Sequence, residues 1–217
     1  MAAASLPHPE APAFEACATD MDVAAAVVAE RIARMGWAET DLSEELQEMG
    51  HVYGALRYFG ASAYLGKTSV EDWTASLQDY RNETGGLPAF GLEGLDQTYR
   101  TRAFRDPAGS GVLVLTSDDD NTWSCEILLN EAPPNASDFM STADETDEVA
   151  TAEGFAFRSV DQHPGTFAEM LALLPFVPMP KVYYAEYLSA DPEILRERYG
   201  LKTSITFAAQ VSVINAF

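Results

Sequence analysis

Between Arg105 and Arg158 the chain contains no lysine or arginine, while Asp106, Asp118, Asp119, Asp120, Glu126, Glu131, Asp138, Asp144, Glu145, Asp147, Glu148 and Glu153 all fall there. Those twelve acids amount to more than half of the formal net charge of −21. A field of one sign repels phosphate backbones and anionic headgroups and attracts cations or basic surfaces. No nucleic-acid partner is therefore expected, and a protein partner with a basic surface is.

Other shortages narrow the chemistry. No apolar run approaches the ~18 residues that a membrane-spanning helix needs, so no membrane span is expected. There are two cysteines, Cys17 and Cys125, and three histidines, His8, His51 and His163. With no Cys-x-x-Cys, no His pair at ligand spacing and no His-Glu-x-x-His, structural zinc, thioredoxin-type redox chemistry and zinc hydrolysis have no local signature. A Gly-x-Ser-x-Gly elbow is also missing, so a nucleophile would have to be assembled from distant residues. No cofactor is expected.

The first thirty residues hold no lysine or arginine, and Met1 to Phe14 lacks the basic head and apolar centre of a secretory signal. The small, proline-rich stretch Ala2 to Pro12 reads instead as the start of a mature exported chain with an initiator Met added. A periplasmic or secreted location is the expectation and the cytoplasm the alternative. Cys17 and Cys125 are either two buried thiols or a disulfide. A bridge would close a loop of roughly a hundred residues, for which chain entropy gives about 4–5 kcal/mol.

What the chain has is enough apolar material for a core: 47% hydrophobic and 11% aromatic residues in 217. Residues 1–18 read as a flexible N-terminal segment and 19–217 as one domain. A helix is expected over Asp22–Met35, capped by Asp20 and ended by Gly36, with Val23, Val27, Val28, Ile32 and Met35 on one side. A second is expected over Asp41–Phe59, and a third over Ser69–Arg81 behind the capping box of Thr68 and Glu71.

Then the period falls to two. Gln97–Arg105, Gly111–Thr116 and Thr122–Asn130 predict an antiparallel meander, with Trp123, Cys125, Ile127 and Leu129 on a single buried face. Phe139–Ala152 reads as an acidic helix, Phe155–Val160 and Val182–Leu188 as strands, and Thr166–Leu174 as a helix. Asp191 and Pro192 start a last helix that ends at Gly200. Alternation over about 204–214 predicts a C-terminal strand. The class is α+β, a helical N-terminal part packed on an antiparallel sheet.

Candidate sites are few. Ala61, Gly66, Lys67 and Thr68 match a loose phosphate-binding loop, but helical periodicity precedes them where a strand is required, and Thr68 already serves as a cap. Asp118, Asp119 and Asp120 in a hairpin loop offer hard oxygen ligands to a metal such as calcium, without the alternating pattern of an EF-hand. Asn82 and Asn135 lie in glycosylation triplets. The reading these patterns favour is an acidic, soluble, exported, non-enzymatic protein acting through protein contacts. The alternatives are a hydrolase with a non-local site and an acidic inhibitor imitating nucleic acid.

Overall fold

Alternating side chains in β-branched and aromatic runs decide the architecture, because each strand can then offer one apolar face to helices that are themselves short. A computed structural model describes residues 8–18, 23–41, 56, 75, 100–118, 122–141, 148–152, 154–162, 181–199 and 203–215. The described elements are mostly strands: β1 (Ala38–Thr40), β2 (Arg100–Arg105), β3 (Gly111–Ser117), β4 (Trp123–Leu129), β5 (Glu148–Ala152), β6 (Phe155–Gln162), β7 (Lys181–Ala190) and β8 (Phe207–Asn215). They form one antiparallel sheet in the order β1-β2-β3-β4-β8-β7-β6-β5. Two four-stranded meanders thus meet where β4 pairs with β8, each contributing its last strand to the centre.

Among the described residues, helices α1 (Pro12–Cys17), α2 (Ala25–Arg34), α3 (Ala136–Ser141) and α4 (Pro192–Tyr199) accompany the sheet. Helix α1 lies against β4, α2 against β3 and α3 against β6. Beneath them Trp123, Cys125, Ile127 and Leu129 of β4 stand in register with Val213, Val211, Ala209 and Phe207 of β8, and all eight are core residues. Residues 12–17, part of the segment expected to be flexible, form a helix whose Ala13, Phe14, Ala16 and Cys17 are buried. Phe14 is fully buried, with its ring centroid 5.8 Å from Tyr187 and 5.9 Å from Phe207. Burial of one such side chain stabilises by about 2–3 kcal/mol.

The sequence expectations and the structure part company in several places. Helix α2 begins at Ala25 after the N-cap Ala24, which offers no side-chain cap, and Val27 points outward at 38% exposure; Asp20 lies outside the described residues. Gly36 does end it, at φ +89°, the left-handed conformation that glycine adopts freely. The expected helix Phe139–Ala152 is instead the short α3 followed by β5, because Val149, Ala150 and Thr151 complete a ladder with β6. The C-terminal strand starts at Phe207, although Ile205 is already buried. Of the second expected helix only Asp41 and Leu56 are described, and of the third only Ala75. The Thr166–Leu174 helix lies outside the described residues.

The face of β4 expected to be buried, with Cys125 on it, is buried, and the opposite face is covered as well. Val112, Val114, Leu128, Phe157, Leu188 and Ala208 point away from the core cluster, yet all are buried. The sheet is covered on both sides, so alternation here separates two interiors and not core from solvent. Helix α4 sits over the β5–β6 turn. Asp191 caps it by accepting the Glu193 N–H at 2.8 Å, and Pro192 occupies the first helical position as expected.

Gly154 in that turn has φ +75°, and a Cβ there would lie 2.3 Å from Ile194 Cδ1. Gly154→Ala is expected to cost about 1–2 kcal/mol in backbone strain alone. Thermal melts check this. Adding Ile194→Ala should relieve the clash and leave the strain.

Candidate functional site

The second face of the sheet divides into an apolar end and a polar lane. Register sets Ser124 of β4 beside Ser212 of β8 and Ser212 beside Tyr184 of β7; in the next row stand Glu126, Gln210 and Glu186. Ser212 is fully buried, and Glu126 and Gln210 are nearly so. The Gln210 Nε2 group lies 3.1 Å from Ser124 Oγ, 3.0 Å from Tyr184 Oη and 3.0 Å from Ser212 Oγ, and the Ser212 hydroxyl donates to Ser124 Oγ at 2.8 Å. An amide nitrogen carries two hydrogens, so the three oxygens around it share two donated bonds. Such a network fixes register and side-chain positions, because a polar group left unpaired here would bear its full desolvation cost.

Chemically the lane offers hydroxyls, one amide and two carboxylates. Among the described residues, the bonds around the two serines run to each other and to Gln210. These bonds make a network that positions side chains, with no nucleophile–base–orienter array among the described residues of the lane. Nothing in the sequence marked it as a site. Its residues sit at alternate positions of three strands.

The expected metal candidates fall differently. Asp118 closes the β3–β4 turn: the Thr122 N–H donates to Asp118 Oδ1 at 3.0 Å, and the Thr122 hydroxyl donates to Asp118 Oδ2. Asp106 does the same in the β2–β3 turn, accepting the Ser110 N–H at 3.3 Å and the Ser110 hydroxyl. The shared spacing, Asp followed four residues later by Ser or Thr, accounts for Asp118 as a turn residue. Asp119 and Asp120 lie outside the described residues. Among the described residues no three His, Cys, Asp or Glu side chains are grouped to hold a metal ion.

Cys17 and Cys125 are joined by a disulfide, with Cα atoms 6.2 Å apart and 108 residues of separation. It ties α1 to the central strand β4. Beside it the Tyr183 hydroxyl donates to the Cys17 carbonyl at 3.0 Å, and the Trp123 indole N–H donates to the Val23 carbonyl at 2.9 Å. His8 lies in the N-terminal segment, with Nδ1 3.0 Å from the Pro9 carbonyl. His51, His163, Lys67, Thr68 and Asn82 are outside the described residues. Asn135 is half-buried, and its Oδ1 accepts the Glu10 N–H at 2.8 Å.

A cavity of about 310 Å³ opens between the start of α2 and the strands, lined by Ala24, Ala25, Ala26, Arg100, Arg102, Leu115, Ser117 and Asp118. Arg102 is held there by a bidentate pair with Glu39 of β1, at 2.8 and 2.7 Å. The hydrogen bonds from Arg102 lower the Glu39 pKa below the usual carboxylate value, and those to Glu39 raise that of Arg102. A lowered carboxylate pKa contributes stability that is present above the unfolded pKa and lost as pH falls through the folded one. Both side chains are about half exposed, so Glu39→Gln is expected to cost less than about 1 kcal/mol near neutral pH. In denaturant melts that difference should vanish in strong acid and shrink with salt.

No helix among the described residues is long and apolar enough to cross a membrane. No family model, curated protein or solved structure matches this chain.

Proposed function

We propose that this is an acidic, soluble, exported, non-enzymatic protein that acts by binding a protein partner with a basic surface, its helical N-terminal part packed on the sheet. The observation that carries the reading is the cation-free stretch from Asp106 to Phe157, which supplies β3, β4, β5 and the turns between β2, β3 and β4. Within it Glu131 and Asp138 are exposed on either side of Asn135, and the Glu10 backbone bonds to Asn135 itself, which brings a third exposed acid to the same place. The disulfide supports export, since such bonds persist in oxidising compartments.

Calorimetric titration against a panel of basic globular proteins, with polylysine as a non-specific control, tests the proposal. Tight binding to particular proteins that weakens steeply with added salt, and weakens again in Glu131→Lys and Asp138→Lys, is the expected result. Binding to polylysine alone, or to nothing, sinks it.

A further inference from the structure

We propose that α1 is a strap latched by redox state: reduction of the Cys17–Cys125 disulfide releases residues 8–18 from the sheet and opens the aromatic groove that Phe14 fills. The groove is built from Tyr187 and Phe207, with Phe139 of α3 at its side, 4.8 Å from the Tyr187 ring. Its occupant is this chain's own N-terminal helix, and the inference stands apart from the identity of any partner.

Three observations lead there. Helix α1 has six residues and no side-chain cap, far below the ~12–15 residues at which an isolated helix becomes marginally stable in water. Its structure therefore depends on what holds it to the sheet. Among the described residues those holds are the Phe14 ring, the buried Ala13 and Ala16, packing against α2, the Tyr183–Cys17 hydrogen bond, the Glu10–Asn135 hydrogen bond and one covalent link. The chain is fastened again just downstream, where Trp123 binds the Val23 carbonyl, so loss of the latch can free α1 while α2 stays on β3.

The covalent step is thiol–disulfide exchange with a dithiol reductant. One thiolate attacks a protein sulfur, the S–S bond breaks and a mixed disulfide forms; the second thiol of the reductant then resolves it. Two electrons and two protons pass to the protein, which gains two thiols, and the dithiol leaves as its disulfide. Both cysteines are fully buried, so attack requires a transient opening of the strap.

Hydrogen exchange read by mass spectrometry on the full chain tests the strap, comparing the oxidised protein, the protein reduced with dithiothreitol, and Cys17→Ala/Cys125→Ala. Amides of 13–18 should exchange at least about tenfold faster in both latch-free forms, while β3, β4, β7 and β8 keep their protection. A dye that fluoresces on apolar surfaces should bind only the latch-free forms. Unchanged protection of α1 would show the bond to be a passive staple. Loss of protection across the whole sheet, in the reduced protein or the variant, would equally overturn the proposal, since the strap would then not be separable from the fold.

Discussion

Replacing Cys17 and Cys125 together by alanine is expected to lower the unfolding free energy by about 3–5 kcal/mol and the midpoint of thermal unfolding by about 10 °C. The size follows from the separation of 108 residues, since a cross-link that long removes much of the freedom of the unfolded chain. It also follows from position, because the bond joins a six-residue helix without a side-chain cap to a strand at the centre of the sheet. Urea titrations separate the two contributions. A midpoint shift with an unchanged or steeper slope would mean that α1 stays docked until the cooperative transition, a steeper slope marking an unfolded chain free to expand. A shallower slope would show that α1 has already left the sheet before the cooperative transition, so that less surface remains to be exposed. A loss below about 1 kcal/mol would mean that neither argument describes this bond.

Legibility of the fold varied with strand length and with what covered each face. Strands β3, β4 and β8 could be read from alternation because each has seven or more residues and a β-branched or aromatic face. Strand β1 has three residues, too few for any period to show, and exists because Ala38, Glu39 and Thr40 pair with Arg105, Phe104 and Ala103. Strand β5 was concealed by the acids before it, which read as a helix until β6 supplied a partner. Helix α1 carries no periodic signal in six residues; Phe14 is buried by the tertiary pocket and not by any local preference. The polar lane was invisible for another reason. Alternation tells which residues share a face, but only topology tells whether that face meets water, and Ser124, Glu126, Gln210 and Ser212 would look the same in either case.

The largest single side-chain effect is expected at Tyr187, and its neighbour Tyr184 supplies the control. The two are three residues apart on β7 and project to opposite faces. Tyr187 is fully buried, with ring centroids of Phe14, Phe139 and Phe207 at 5.8, 4.8 and 6.5 Å. Tyr187→Ala should therefore cost about 3–5 kcal/mol, the range for removing a buried aromatic ring and leaving a cavity. It should also weaken the docking of α1 and α3 together, since Phe14 and Phe139 both rest on that ring. Tyr184→Phe keeps the ring and removes one oxygen that Gln210 Nε2 contacts at 3.0 Å. Its cost should be about 0.5–1.5 kcal/mol, because Gln210 retains Ser124 and Ser212 as partners. Denaturant melts of both variants decide which face holds the sheet together. If Tyr184→Phe proved as costly as Tyr187→Ala, the polar lane would be the more important interior, and the aromatic packing under α1 and α3 would have to be weaker than its geometry implies.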